Sequence, residues 1–415
     1  MHISAVALFT SGCGAFSISR RALTSQGAGV EMSAGTGGDY WSEQQLPSVL
    51  KHNLLGRYIP QFGGMTGSRE GRVVYLDGYA GEGRYESGES GSAEIAMKVA
   101  SGHLRRHHLR WTCFFVEREP ESLARLEKVA SIYRTQGVDA RVHPGDVDGV
   151  LDTVLQTADG LPLFLFLDPT GLCLPFNRLV DAMAQRDQPN RWQPTEFLMN
   201  FSMVAVRRLG GNARSDKGLE RSSERFDEVC GGRWWREYFP VGQPFTPGAD
   251  EAVAAEYARR LAERTGMLVQ SVPVAKAPHH KPVYHLVFAT RRQHGLWVFG
   301  DAIARARDAW WEKLEVAEDK EDQGTLFSAT SLIRPNPQEI TDAAVPAMAG
   351  NLAQILARGK PFTLVDQTLD VFGQYYGQVT EPAARAAVKH LHEQGGTPST
   401  GVGRKIRDLV VEPPT

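Results

Sequence analysis

The sequence predicts an α/β protein whose main sheet is mostly parallel and ends in an antiparallel hairpin. Between residues 73 and 202, apolar runs of strand length alternate with helical patterns, which is typical of βαβ units. The run in LPLFLFLDPTG is apolar throughout, as expected for a central strand that is buried on both faces. Two later runs, MLVQSVPV and VYHLVFAT, are joined by a short polar link, which implies an antiparallel pair.

The composition is that of an ordinary globular protein. The chain has 415 residues, of which 42% are hydrophobic and 23% charged, and this length allows two or three domains. A net charge of −2 excludes a globally basic nucleic-acid binder, although not a local basic patch. The four cysteines are far apart, so we expect no metal site and a reducing, cytoplasmic location. No run approaches the roughly 20 apolar residues of a membrane span, so we expect no membrane contact.

In the amino-terminal third of the chain, the sequence pattern predicts a leader, a helix and two βα units. Residues 1–38 mix Ser, Gly and Thr with short apolar runs, and we expect a disordered leader there. From Tyr40 to Phe62, apolar residues recur at helical spacing between Pro47 and Pro60. The chain continues with strand VVYLD, a glycine-rich turn, a helix capped by Ser92, the basic segment GHLRRHHLR, strand WTCFFVE and another helix.

The remaining patterns predict two domains. Strands ARVHPGD, LPLFLFLD and EFLMNFS are followed by a helical insertion at residues 207–262 and then by the antiparallel pair. We expect one α/β domain over residues 39–318, a linker over 319–344 that is rich in charges, Gly and Pro, and a second domain over 345–415. The second domain contains three helical patterns, of which the first runs from Pro346 to Arg358, and a glycine-tipped hairpin in TPSTGVGRKIRDLVVEP. Three helices and a hairpin predict a winged-helix-like structure.

The stretch VVYLDGYAGEGRY predicts a ligand cleft. A buried strand delivers the Asp77 carboxylate to a turn in which Gly81 and Gly83 allow the backbone to bend sharply against a bound molecule. The next helix begins only near Ser92, whereas a dinucleotide site places a helix N-terminus inside its glycine motif. A ligand without a pyrophosphate, such as S-adenosylmethionine (SAM), fits this spacing better. A plain turn is the alternative.

Polar side chains follow the other predicted strands as well. Glu117 ends the second strand, where it could accept both hydroxyls of a ribose or simply interact with the dipole of the next helix. Asp146 follows the third strand, and Asp168 with Pro169 follows the central one. Asn200 ends the fifth. Carboxylates at several successive strand ends predict a functional cleft at that edge of the sheet.

The chain resembles the three-Cys-motif partner proteins, a family with a Rossmann-like, class I methyltransferase domain. The resemblance covers roughly residue 40 to the C-terminus and rests on the spacing of YLDGYAGEGRY, GSAEIA, FFVE, FLDPTG, MNFS and KPVYHLVFAT. It implies that SAM is the cofactor and that a radical-SAM-like protein with three cysteines is the partner. It assigns the candidate cofactor-binding residues Asp77, Tyr79, Gly81, Gly83, Glu117 and Asp146, and the candidate catalytic residues Asp168, Pro169 and Asn200.

The resemblance implies methyl transfer to a nitrogen on a nucleic acid or nucleotide. Methyltransferases that act on base amino groups carry a second proline and an aromatic residue where this chain has DPTG, so Phe201 or Tyr79 would have to stack on the base. Basic loops at residues 207–208 and 291–292 are expected beside the cleft to contact phosphates, unless they are solvated loop charges. The alternative is a non-catalytic SAM-binding scaffold for the partner protein.

Overall fold

A computed structural model describes residues 39–42, 44–188, 190–212, 220–240, 245–278, 280–321 and 334–414. The expected leader (1–38) and the central part of the expected linker (322–333) lie outside these residues. None of the described helices is both long and apolar enough to cross a lipid bilayer.

The main sheet has seven strands in the order β3-β2-β1-β4-β5-β7-β6. The first five strands along the chain are mutually parallel, and β7 pairs antiparallel with both β5 and β6. The predicted fold class and the terminal hairpin are therefore confirmed. The strands are β1 (Arg72–Asp77), β2 (Arg110–Glu117), β3 (Asp139–Pro144), β4 (Leu163–Leu167), β5 (Thr195–Ser202), β6 (Leu268–Val274) and β7 (Tyr284–Thr290).

Helices cover both faces of this sheet. Along β4, Phe164 and Phe166 join the apolar cluster on one face, whereas Leu163, Leu165 and Leu167 join the cluster on the other. The continuous apolarity of this strand thus reflects burial on both faces, as predicted. The helices are α1 (Asp39–Ser42), α2 (Leu46–Thr66), α3 (Ser92–His107), α4 (Pro120–Arg134), α5 (Val147–Thr157), α6 (Phe176–Gln185), α7 (Met203–Asn212), α8 (Glu220–Cys230), α9 (Ala249–Thr265) and α10 (Gln293–Glu321).

Two helices continue through prolines that the sequence analysis took as helix boundaries. Helix α2 runs to Thr66 with Pro60 in its interior. Helix α11 (Pro337–Leu356) contains Pro346, where the sequence suggested its start. Proline costs a helix one hydrogen bond, but the buried faces of both helices offset that loss by packing. The last eight residues of the expected linker, 337–344, are therefore helical.

The C-terminal part contains three helices and a small sheet. Helices α11, α12 (Thr368–Phe372) and α13 (Pro382–Glu393) surround β8 (Phe362–Thr363) and β9 (Val410–Val411), which pair antiparallel. The expected hairpin within residues 397–413 is wrong, because the only strand there pairs with β8 instead of folding back on its own stretch. The winged-helix assignment stays a prediction.

The C-terminal part shares an apolar core with the main sheet. The Trp297 ring of α10 lies 5.1 Å from the Phe372 ring, and its Nε1 donates a hydrogen bond to Glu381 at 2.9 Å. The Tyr376 hydroxyl donates to the carbonyl of Leu296 at 2.6 Å. One apolar cluster therefore runs from the sheet through α10 into α11 and α13. The proposed division at residues 318 and 345 stays a prediction.

Candidate functional site

The strand ends flank the point where the strand order reverses. Strand β1 lies between β2 and β4, so the chain winds away from β1 in both directions. Asp77 ends β1 opposite Phe166, and Asp168 follows β4 directly. Open α/β sheets bind ligands in the crevice at this switch point, outside the carboxyl ends of the strands. The fold therefore brings both predicted carboxylates to one crevice.

Asp77 is a fully buried carboxylate with an unused oxygen. Its Oδ1 accepts the backbone N–H of Tyr79 at 3.2 Å, and its Oδ2 has no hydrogen-bond partner in the described part of the chain. Burial raises the pKa of Asp77 to about 7, against the opposing effects of hydrogen bonds from Ser92 and Tyr79 and of the Lys51 charge. A buried acceptor without a donor is costly, so Oδ2 is a position at which a bound cation or N–H group would be stabilised.

The two glycines of the turn are required by the protein itself. Gly81 has φ +58° and Gly83 has φ +80°, both in the left-handed region that favours glycine. A Cβ at Gly81 would lie 2.0 Å from the Trp41 ring, and one at Gly83 would lie 3.0 Å from Leu126. The sequence suggested that these glycines allow a ligand to approach closely. The structure shows a second reason, because side chains at these positions would also collide with α1 and α4. Trp41 is itself held against Tyr85, with ring centroids 4.8 Å apart.

Glu117 fastens the glycine turn to the end of β2. Its Oε2 accepts the Gly81 N–H at 2.8 Å, and its Oε1 accepts the N–H groups of Arg118 and Glu119, each at 2.8 Å. A carboxylate oxygen has two lone-pair sites, so Oε2 retains capacity for one further donor while Oε1 is saturated. Glu117 can therefore accept one further donor at Oε2, and its expected role toward a ribose stays a prediction.

Asp146 and Tyr79 lie on either side of this turn. The Gly145 N–H donates to the Glu117 carbonyl at 3.0 Å, which places the exposed Asp146 at the start of α5 beside the end of β2. Tyr79 packs against the apolar cluster under α5 and α6, where its hydroxyl is hydrogen-bonded to the Cys173 thiol. Burial raises the pKa of Tyr79 above its ordinary value. The phenol of Tyr79 is thus engaged by the protein.

Asp168 forms the centre of a polar group that the sequence analysis only partly found. Its Oδ2 is ion-paired with Lys51 of α2, and its Oδ1 accepts a hydrogen bond from Asn200 Nδ2 at 3.0 Å. The Lys51 side chain is only 4% exposed and that of Asp168 is 13% exposed. Asn200 Oδ1 is buried and has no partner among the described residues. An acceptor oxygen next to the carboxylate is therefore left open.

Lys51 escaped the sequence analysis, although a signal for it existed. It lies among buried apolar residues of α2, including Leu50 and Leu54, and a lysine is almost never fully buried unless it is paired. Its ammonium also lies 5.8 Å from the Tyr284 ring at the start of β7. What the sequence could not supply is the partner, because Asp168 is 117 residues away along the chain.

Of the two aromatic residues expected to stack on a base, Phe201 and Tyr79, Phe201 cannot do so. Phe201 is 1% exposed and stacks on Tyr257 with ring centroids 4.4 Å apart, so it belongs to the core. Pro169 is also buried. Phe201 points away from the crevice because side chains alternate along β5, and its neighbour Asn200 takes the site-facing position. The suggestion that Phe201 replaces the missing aromatic is therefore wrong.

The two basic pairs expected beside the crevice are not both there. Arg207, in the middle of α7, is held by Asp250 at 3.0 Å and by the Pro282 carbonyl at 2.7 Å. Arg291 follows the end of β7 and donates to the carbonyls of Thr265 and Met183. Because β7 is antiparallel to β5, its end lies at the opposite edge of the sheet from Asp168. The expectation for residues 291–292 is wrong for this topological reason.

The polar atoms of the crevice residues fit SAM. Asp77 Oδ2 suits a cationic group, the free lone pair of Glu117 suits a hydroxyl, and Asn200 Oδ1 suits an N–H or O–H donor. Among the described residues, no group of three or more His, Cys, Asp or Glu side chains could hold a metal ion. The donor and acceptor set is thus that of a site for an organic, partly cationic ligand.

Comparison with known proteins finds no matching family model and no matching curated protein. The resemblance to the three-Cys-motif partner family therefore stays a prediction. Solved structures that resemble the chain include methyltransferases. The methyltransferase domain of bacterial CtHen1 is 14% identical with a TM-score of 0.30, and the match covers 58% of this chain and 99% of that one.

Two further structures give similar values. The small RNA methyltransferase HEN1 is 12% identical with a TM-score of 0.31; the match covers 59% of this chain but only 26% of that one. The glycopeptide N-methyltransferase MtfA, complexed with sinefungin, is 13% identical with a TM-score of 0.25, over 60% of this chain and 87% of that one. At such low TM-scores the fold is assigned from the strand order of the chain itself.

Proposed function

We propose that this chain binds SAM in the switch-point crevice and transfers its methyl group to a nucleophile held by Asn200 and Asp168. The observation that carries the proposal is the group of polar side chains at the ends of β1, β4 and β5, in which Asp77 Oδ2 and Asn200 Oδ1 both lack partners among the described residues. Two open acceptors beside a glycine turn suit one cationic ligand and one neutral donor.

The crevice residues divide into a cofactor side and an acceptor side. On the cofactor side, Asp77 would hold the amino group of the methionine end, Glu117 Oε2 a ribose hydroxyl, and Asp146 the adenine. Bound SAM supplies a methyl group that its sulfonium already activates, so the protein needs mainly to align the nucleophile. The Asp168 charge contributes to the raised pKa of Asp77, so the two carboxylates are close enough to share one crevice.

The acceptor side suits an uncharged amine. An amino group can donate one N–H to Asn200 Oδ1 and another to Asp168, which orients its lone pair. Lys51 holds Asp168 in place by an ion pair, and a buried ammonium at this point would repel a protonated alkyl amine. We therefore propose a nitrogen on a nucleic acid or nucleotide, where exocyclic amines are neutral. The resemblance to the three-Cys-motif partner proteins is the support for a radical-SAM-like protein as partner.

A non-catalytic SAM-binding scaffold is the second candidate. Both oxygens of Asp168 already accept hydrogen bonds from Lys51 and Asn200, and the side chain is only 13% exposed. A carboxylate that is satisfied inside the protein has a structural reason to be there, independent of a substrate. This candidate predicts SAM binding without transfer to any acceptor.

The experiment combines calorimetry with a labelled-methyl assay on the full chain. Wild type, Asp168→Asn and Asn200→Ala are titrated with SAM and then incubated with labelled SAM and separate pools of DNA, RNA and nucleotides. We expect all three to bind SAM within a few-fold, and both variants to lose most of the transfer. Asp168→Asn is preferred to alanine because it keeps an oxygen facing Lys51.

A surface variant, Asp159→Asn, removes a carboxylate that pairs with Arg191 away from the crevice and serves as the matched control. Binding of SAM with no label incorporated by the wild type would favour the scaffold. Equal incorporation by wild type and Asp168→Asn would place the acceptor elsewhere. Absence of SAM binding by the wild type would contradict the proposal as a whole.

A further inference from the structure

Several exposed arginines lie together at the end of the sheet where β1 and β2 begin, opposite the crevice at the carboxyl ends of the strands. We call this surface the basic edge and define it by Arg69, Arg72, Arg105, Arg106 and Arg110, all of which are exposed. Five steps of β1 separate Arg72 from Asp77, a distance of about 16 Å at the usual rise per residue. The basic edge is therefore a surface distinct from the candidate site, although the chain as a whole carries a net charge of −2.

The folded chain brings these arginines together from three segments. Arg72 and Arg110 begin neighbouring strands and lie directly opposite each other in the parallel register. The Arg110 N–H donates to the Gly71 carbonyl at 3.0 Å, which joins the loop containing Arg69 to the end of α3. Like charges placed opposite each other destabilise a sheet, so this pair carries a cost in the isolated chain.

Few acidic groups offset this charge. Arg72, Arg106 and Arg110 form no ion pair in the described part of the chain. Glu70 lies 3.6 Å from Arg69, and Asp139 at the start of β3 is paired with Arg141 at 2.8 Å and also interacts electrostatically with Arg72. These two carboxylates offset only part of the charge of the five arginines. The field of the basic edge is thus left open to solvent, where it can attract an anionic partner.

The dipole of α3 accounts for only part of the cluster. Arg105 and Arg106 lie in the last turn of this helix, where cations interact favourably with the helix C-terminus. Arg69, Arg72 and Arg110 lie outside α3 and gain nothing from its last turn. A ligand for the whole edge must therefore be extended and carry several negative charges.

The basic edge continues into the C-terminal part. Arg407 lies 3.5 Å from the sulfur of Met65, in the last turn of α2 just before the loop that carries Arg69. Arg404 and Lys405 precede it, are exposed, and form no ion pair among the described residues. Asp408 lies 3.8 Å from Arg407 and lines a cavity with Arg404 and Lys405, so it offsets part of the charge that this segment adds.

An exposed aromatic ring adjoins these cations. Trp192, just before β5, is 37% exposed, and the Arg69 guanidinium lies 6.0 Å from its ring centroid. Eight tryptophans occur in the chain, and those at positions 41, 111, 234, 235, 297, 310 and 311 are all buried. An accessible indole beside arginines is the combination that stacks an unpaired base while the cations contact the backbone.

We infer that the basic edge binds single-stranded nucleic acid, with phosphates on the arginines and a base on Trp192. Duplex DNA would satisfy the charges but would leave the indole unused, because its bases are stacked internally. The inference does not depend on the proposed methyl transfer, since the basic edge and the crevice are at opposite ends of the strands.

The test measures fluorescence anisotropy of a labelled 20-nucleotide single strand with the full chain at several salt concentrations. Single strands lose affinity with salt at a slope of about −0.7 per neutralised phosphate, so a variant with Ala at 72, 106 and 110 should have a slope smaller by about 2. Trp192→Ala should weaken binding about 5- to 100-fold at a single salt concentration and leave the slope unchanged.

A matched triple variant with Ala at 118, 178 and 259 removes the same charge from arginines that have acidic neighbours elsewhere, and it should bind like wild type. The inference is overturned if the two triple variants weaken binding equally, if wild type does not bind the strand at about 50 mM salt, or if an unlabelled duplex of equal length competes better than the single strand. Wild type and the variant with Ala at 72, 106 and 110 are also tested on phosphatidylserine vesicles. The inference is overturned if this variant loses vesicle binding that the wild type shows but still binds the oligonucleotide.

Discussion

Protonation of Asp77 should control SAM affinity near neutral pH. Burial raises the pKa of this carboxyl to about 7, and its Oδ2 lacks a partner among the described residues. If the proposed role is right, only the ionised form holds the cationic amino group well. Asp77 must then lose a proton when SAM binds, and the affinity should increase with pH.

The magnitude follows from the fraction ionised. With a free-state pKa of about 7, the dissociation constant at pH 5.5 should be about 20 times that at pH 7.2. The range stops at 7.2 because the α-amino group of the ligand itself titrates near 7.7 to 8.0. Between half and one proton, roughly, should be released per binding event near pH 6.5.

Calorimetry in two buffers of different ionisation enthalpy measures both the affinity and the proton release. Asp77→Asn should bind more weakly at pH 7.2 and lose the pH dependence. Glu196→Gln is the matched control, because Glu196 is a second buried carboxyl with a pKa of about 7 that lies away from the crevice. A pH-independent affinity of the wild type, or the same pH dependence in Asp77→Asn, would refute the assignment of Asp77.

Three further predictions concern stability. Burial raises the pKa of Glu196 to about 7, so its contribution to stability should be full below about pH 4.5 and be lost as the pH rises through 7. In urea unfolding, the free energy of unfolding of wild type should fall by about 3 kcal/mol more than that of Glu196→Gln between pH 4.5 and 7.5. Parallel pH profiles of the two proteins would contradict this. A double-mutant cycle of Lys51→Met and Asp168→Asn should give a coupling free energy of about 2 to 3 kcal/mol. This is below the upper range for fully buried pairs because Asp168 is partly exposed. A value under about 0.5 kcal/mol would show that the ion pair does not contribute to stability as a buried pair does. Deleting residues 325–415 should expose Trp297 and its apolar neighbours and cause aggregation in size-exclusion chromatography, whereas a soluble, cooperatively melting fragment would show that the C-terminal part is separable.

Local pattern predicted the elements of this protein well, but it misplaced some of their ends. The strands of the main sheet were recognisable from the sequence, most of them as apolar runs, and the hairpin of β6 and β7 followed from the short link between them. The ends of α2 and α11 were missed because Pro60 and Pro346 lie inside helices that packing holds together. The pairing of Val410–Val411 with β8 was missed because strand pairing is not a local property.

The sequence by itself determined which polar residues end the strands, since a carboxylate after an apolar run is visible in one dimension. Only the tertiary structure decided what those residues contact. Lys51 became the partner of Asp168 because α2 crosses the end of β4, and Phe201 was excluded from the site by the alternation of side chains along β5. Arg291 lies at the far end of the strands because β7 runs antiparallel to β5, and that is the same end of the sheet at which Arg72 and Arg110 begin β1 and β2.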